Sequence, residues 1–262
     1  MSTFASSTEV MHPVLSPRTH FSLEGIAELN DDVYSADVTL SAEIALGKKF
    51  SIYADGSFRF LSYSYEYSRD GYIHNYCNLH VNGFNETYLG IKTAPFKKGV
   101  LQPFGLNINW RFPPGEGSQQ NRFYRLGIEP FYAYPFSNHL DLGMALRYNR
   151  FLEKEHYAPG DEIGGRLSFS WKFSWDDRTH TGWIFEEIVQ WQARIQESQN
   201  LHLAKAYRKM DDTYQGLKTH FNVNRHFLFF GQSMGVGLFY EINQGTLFGF
   251  ETGHRLGLAL KL

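Results

Sequence analysis

Strict two-residue alternation is the feature that most constrains this chain. From Leu140 the residues read Leu-Asp-Leu-Gly-Met-Ala-Leu-Arg-Tyr, which places Leu140, Leu142, Met144, Leu146 and Tyr148 on one side of an extended segment. Asp141, Gly143, Ala145, Arg147 and Asn149 fall on the other. Arg166 to Phe173 repeats the pattern, with Leu167, Phe169, Trp171 and Phe173 set against Arg166, Ser168, Ser170 and Lys172. Successive side chains of a strand point to opposite faces, so each segment is a strand that is apolar on one side only. A soluble sheet alternates too, but something covers its apolar face. Here nearly every segment alternates, and no amphipathic helix or second apolar layer is left to act as a cover. Lipid is the economical cover.

The reading extends along the chain. Residues 1–20 are polar and irregular and form a lead-in. A first strand covers roughly Phe21–Leu29, with Glu24 and Glu28 on its polar side. Val38, Leu40, Ala42, Ile44 and Leu46 then oppose Asp37, Ser41 and Glu43, and Ile52, Ala54, Phe58 and Phe60 oppose Tyr53, Asp55 and Arg59. Arg69–Asn78 reads as a loop, Thr93–Phe104 as a long connection and Pro113–Gly117 as a further loop. Leu106, Ile108 and Trp110 alternate with Asn107, Asn109 and Arg111, and Leu126, Ile128, Tyr132 and Tyr134 with Arg125, Gly127 and Glu129.

Beyond Phe173 the pattern weakens. Trp183, Phe185, Val189 and Trp191 share a face with Glu187, while Ile184 and Ile188 lie opposite. A bulge or a local departure from the bilayer would produce this. Glu197–Asp212 is the longest polar connection, and its basic cluster Lys205, Arg208 and Lys209 makes it a candidate plug. Strong alternation resumes through Leu228–Tyr240 and again from Phe248 to Leu262. In all, about twelve strands are expected.

Composition narrows the class. No run of about 18 apolar residues occurs, so no helix crosses a membrane. Barrel strands need only about 9–11 residues, half of them pointing inward. The net charge of −2 gives no reason to expect nucleic acid. The single cysteine, Cys77, cannot form an internal disulfide. Met1-Ser-Thr-Phe-Ala-Ser-Ser lacks a basic head and an apolar core, so an outer-membrane location requires that a leader has been removed.

Over roughly residues 21–262 the chain resembles the bacterial outer-membrane β-barrel class, a likeness of architecture that carries no functional residues. It implies an all-β fold: a single closed, antiparallel, up-and-down transmembrane barrel of about 12 strands with both termini on one side. It also implies a lipid bilayer, with lipopolysaccharide a possible contact, as surroundings. One departure is the end, Leu260-Lys261-Leu262, where such barrels typically carry an aromatic residue. A sheet survives in hydrocarbon only by closing, because each unpaired backbone group there costs several kcal/mol.

The inward face is where function is sought. Its acids are Glu24, Glu28, Asp37, Glu43, Asp55, Glu129, Asp141, Glu241 and Glu251; its bases are Arg59, Lys92, Arg111, Arg125, Arg147, Arg166, Lys172, Lys218, Arg255 and Lys261. His220 also faces inward, and the candidates to line a pore are Asp55, Arg59, Arg111, Arg125, Glu129, Asp141, Arg147, Arg166, Lys172, His220, Glu241, Glu251 and Arg255. Nine acids against ten bases describe a nearly neutral, highly charged interior. Two readings follow: a narrow porin-like channel passing small polar solutes, or a barrel zipped shut by ion pairs. No cofactor and no metal are expected. Gly231-Gln-Ser233-Met-Gly235 matches G-x-S-x-G, but a nucleophile elbow needs a strand-to-helix turn and this segment reads as mid-strand. His74, Cys77 and His80 have spacing that alternates faces on a strand. Asp31-Asp32 and Asp211-Asp212 are paired acids that turn chemistry explains equally well. No catalytic constellation is assigned.

Overall fold

The computed structural model describes residues 19–30, 33–47, 49–69, 72–94, 103–112, 124–152, 160–195, 215–244 and 252–261. These form twelve strands: β1 (His20–Asn30), β2 (Val33–Ala45), β3 (Phe50–Arg69), β4 (Tyr72–Thr93), β5 (Phe104–Phe112), β6 (Arg125–Ser137), β7 (Leu140–Phe151), β8 (Glu162–Asp176), β9 (Thr181–Arg194), β10 (Gln215–Phe229), β11 (Gln232–Gln244) and β12 (Thr252–Lys261). Each pairs antiparallel with its chain neighbours, and β1 pairs with β12, so the sheet closes and leaves no edge. Among the described residues, no helix is long and apolar enough to cross a membrane.

Alternation sets the register. Leu23 faces Leu40 across β1 and β2, and Leu258 faces Leu238 across β11 and β12, all on the outside. A slip of one residue would turn Asp37, Glu129 or Arg147 outward and hide these leucines. The outer wall is accordingly lined with exposed apolar side chains among the described residues; Leu146 is 70% exposed and Leu258 60%. Aromatic rings mark both rims. Toward the longer connections lie Trp110, Phe112 and Tyr124, with centroids 6.0–6.4 Å apart. Toward the tight turns Phe173 stacks on Trp183 at 6.1 Å, and the Arg225 guanidinium lies 5.2 Å from the Trp183 ring. Amphipathic rings and a long cation suit a hydrocarbon–water boundary.

On the termini side, short turns join β2 to β3, β6 to β7, β8 to β9 and β10 to β11. Phe230 and Gly231 both have positive φ (48° and 78°), the two-residue geometry that matches strand twist in a hairpin. Asp176 accepts hydrogen bonds from the Arg178 N–H (2.9 Å) and the Thr179 hydroxyl (3.0 Å) to shape the β8–β9 turn.

Two expectations are corrected. Residues 72–78 form β4 rather than a loop: β3 and β4 are 20 and 22 residues long and stay paired up to Arg69 and Tyr72. Polar strands need no apolar cover once the pair has left the hydrocarbon, so weak alternation hid them. No bulge accounts for the mixed faces of Trp183–Ala193, where β9 runs in unbroken register with β8 and β10; the register shift with β8 lies at the start of β9, where Ser174 and Trp175 stand against Gly182 alone. Glu187 does point outward, and Ile188 does point inward and is buried. The loop expectation at Pro113–Gly117, the body of the Thr93–Phe104 connection, the Glu197–Asp212 plug and the acid pairs at 31–32 and 211–212 lie outside the described residues.

Candidate functional site: the inner wall

Twelve strands spaced about 4.8 Å apart and tilted about 40° enclose a backbone cylinder about 12 Å in radius. Small side chains cannot fill that section; long polar ones can. The inner wall carries many, and they are organised around six carboxylates in five systems.

Asp37 on β2 accepts two hydrogen bonds from the Arg59 guanidinium, at 2.7 and 2.6 Å. Arg255 on β12 bridges Asp37 (3.1 Å) to Glu241 (3.0 Å), and Glu241 also meets His220 (3.2 Å) and Lys218 (3.7 Å). This chain of charges joins β2, β3, β10, β11 and β12 across the seam where the barrel closes. His220 stacks on Phe239 with centroids 5.1 Å apart. Six residues along β2 from Asp37, Glu43 holds Lys92 at 2.8 Å and the Ser51 hydroxyl at 2.5 Å.

On the opposite arc Glu129 of β6 sits between Arg147 (2.7 Å) and Arg166 (2.6 Å). Toward the longer connections Glu162 meets Arg194 (3.2 Å), Gln192 and Asn149 (3.4 Å). There Arg111 and Arg194 both lie over the Phe151 ring, and Arg125 lies over Tyr88. Glu186 accepts from Lys261 (3.0 Å), Asn222 (2.8 Å) and Asn224 (3.2 Å). Ionised groups withdrawn from water cost several kcal/mol each unless they are paired and hydrogen-bonded. These five systems supply that pairing.

Apolar rings on the same wall lie along it. Tyr53 covers Gly90, where an added Cβ would come within 2.2 Å of the ring, and its hydroxyl donates to Asn107 Oδ1 at 2.8 Å. Phe239 covers Gly257 in the same way, at 2.1 Å. A glycine on the neighbouring strand lets a ring lie flat, which pins register and keeps the ring off the barrel axis.

Of the thirteen pore-lining candidates, Asp55, Arg59, Arg111, Arg125, Glu129, Arg147, Arg166, His220, Glu241 and Arg255 lie buried on this wall. Asp141 and Lys172 sit near the tight-turn end, 3.7 Å apart and partly exposed. Glu251 lies outside the described residues. Glu162 and Glu186 belong to the wall and escaped the sequence reading. Glu162 stood within what read as a polar connection, and Glu186 in the strand whose two faces carry mixed signals. Counting alternate positions back from Arg166 would have found Glu162.

The other motifs resolve into structure. Ser233 starts β11 directly after the hairpin turn, not mid-strand, and its hydroxyl donates to the His180 carbonyl at 2.8 Å. His74, Cys77 and His80 lie on β4 rather than in a loop; their side chains are outside the described residues.

No family profile and no curated protein sequence matches the chain. Solved structures do. A crystal structure of an outer-membrane channel from Pseudomonas putida F1 superposes with a TM-score of 0.63 at 10% identity, covering 98% of each chain. The NanC porin superposes at 0.56 and 9% identity, covering 92% of this chain and 98% of its own. At such identities the likeness is one of fold: this chain has the fold of the outer-membrane β-barrel channels.

Proposed function

We propose that this protein is a narrow, passive channel of the bacterial outer membrane for small polar solutes. The observation that carries the reading is the opposition of the two walls: a closed sheet whose outer face is apolar, Glu187 excepted, and whose inner face is ion-paired. An apolar outer face of this extent belongs in hydrocarbon, and a sheet in hydrocarbon must close. Water and small solutes then have one polar path, along the axis. Lipopolysaccharide would surround the rim at the longer connections. The reading involves no enzymatic step and no cofactor.

The ladders set the expected behaviour. Carboxylates and bases alternate around the section, so ions of either sign meet partners, and ion selectivity is weak. The wall also constricts, because Glu43, Glu241 and Asn149 have no exposed surface. This low exposure favours a second reading, a closed scaffold barrel without transport.

Planar bilayers separate the two. A channel gives small, steady, ohmic steps with a reversal potential near zero in a salt gradient. Replacing Arg59 by Ala, at the wall's main charge chain, raises the step by roughly twofold and shifts selectivity toward cations, as removal of a fixed positive charge requires. Silence at high protein load establishes the scaffold.

A further inference from the structure

Among the described residues, only one carboxylate leaves the wall through the middle of the outer belt: Glu187. Its neighbours in register are Phe169 on β8 and Phe221 on β10. Trp183 and Trp191, on the same face, lie four residues to either side, about 13 Å along the strand each way. Glu187 thus sits midway between the aromatic rims. At that point the wall is indented by a groove of about 540 Å³, lined by Glu187 with Tyr132, Met144, Leu167, Phe169 and Val189. Gly143 and Ser168, paired across β7 and β8, also line it and contribute little bulk.

A carboxylate at this depth calls for a cation or a strong hydrogen-bond donor. Among the described residues no cation stands beside it. The nearest outward cation among the described residues is Arg225, four residues along β10 from Phe221, with its guanidinium over Trp183. Among the described residues a second copy does not supply one either. Copies inserted in the same orientation are related by an axis along the membrane normal, which keeps every residue at its own depth. Arg225 of a neighbour would be equally far off level. The complement must come from a third party that is apolar over most of its surface and carries one positive group. The groove's volume lies within the roughly 300–1,000 Å³ of small-molecule sites and is concave, not flat like a protein interface.

We propose that the groove at Glu187 is a lipid-side binding site for an apolar molecule bearing a single protonated amine. The apolar body packs on Leu167, Phe169 and Met144, and the ammonium donates to the Glu187 carboxylate. This rests on the outer face lying in hydrocarbon and is independent of conduction through the lumen.

The test uses the full chain in phosphatidylcholine vesicles and tryptophan fluorescence. The probes are a bromoalkylamine and a bromoalkanol of equal chain length, since bromine quenches a nearby indole and Trp183 and Trp191 flank the site. Quenching by the amine saturates, and Glu187→Gln raises the half-quenching concentration about tenfold, as loss of one charge-assisted hydrogen bond requires. Quenching by the alkanol is the same in both proteins. An amine response that Glu187→Gln leaves unchanged overturns the site. So does a crosslinked dimer lost in Glu187→Gln, which would give the groove to a second copy. A separate arm with brominated phosphatidylcholine reports embedding: no quenching there removes the hydrocarbon reading itself, whereas quenching there without an amine effect removes only this site.

Discussion

Glu186 and Glu187 are adjacent in sequence and opposite in circumstance. Glu186 faces the lumen, where Lys261, Asn222 and Asn224 surround its carboxylate. Glu187 faces outward between Phe169 and Phe221. The chemistry of the two groups is identical; the wall that each joins differs. Inside, polar groups are numerous enough to satisfy one another, so a charge is stabilised by its neighbours. Outside, rings and aliphatic chains offer nothing to a charge. The same residue type is therefore structural on one side and anomalous on the other, and the anomaly marks a place where something else must bind.

Substitutions sharpen this contrast, each measured by urea unfolding of vesicle-embedded protein followed by tryptophan fluorescence. The largest effect is expected inside. Glu129→Leu removes the carboxylate shared by Arg147 and Arg166 and costs about 3 kcal/mol, the lower end for a broken buried pair because lumen water relieves part of the strain. A loss under about 1 kcal/mol would show that the pairs are fully hydrated.

Leu40→Arg puts a cation into the outer belt, where Leu40 is 60% exposed and far round the wall from Glu187. The expected cost is roughly 2–3 kcal/mol in a bilayer. A neutral outcome would mean that water wets this face.

The glutamate pair gives an effect of opposite sign. Glu186→Gln destabilises by about 1 kcal/mol through weaker hydrogen bonds to Lys261 and the asparagines. Glu187→Gln is neutral or stabilising by up to about 1 kcal/mol, since it removes a charge from apolar surroundings. Equal effects would erase the distinction between the walls.

The smallest effect belongs to neither wall. Ser233→Ala loses one exposed hydrogen bond to the His180 carbonyl and costs about 0.5 kcal/mol. Its smallness would fit a turn-stabilising hydroxyl.

Much of this was legible because lipid leaves a clean period-two signal. The strand Leu140–Phe151 follows its alternation residue by residue, and Arg147 was assigned inward on parity alone. Ten of the thirteen wall candidates were found in the same way. Parity says nothing about partners, however. That Arg255 bridges Asp37 and Glu241 depends on β1 and β12 closing the sheet, which links residues 218 positions apart. Parity also fails where a strand leaves the membrane, as with Tyr72–Asn78, and where inward positions are apolar. Ile26, Phe131 and Phe239 are buried on the inner side, packed among small residues or over glycines. Ile188 is the case that disguised β9: an inward isoleucine beside an outward glutamate looks like a slipped register, although the ladder does not slip.

The central claim is that one strand separates water from hydrocarbon. A cysteine scan of β7 from Leu142 to Tyr148, in protein with Cys77 replaced by Ser and reconstituted in vesicles, tests it with a small charged thiol reagent. The prediction is a two-residue rhythm: Gly143, Ala145 and Arg147 react, while Leu142, Met144, Leu146 and Tyr148 are protected. Reaction at Met144 and Leu146 would contradict the hydrocarbon face, and silence at every inward position would contradict the water-filled path.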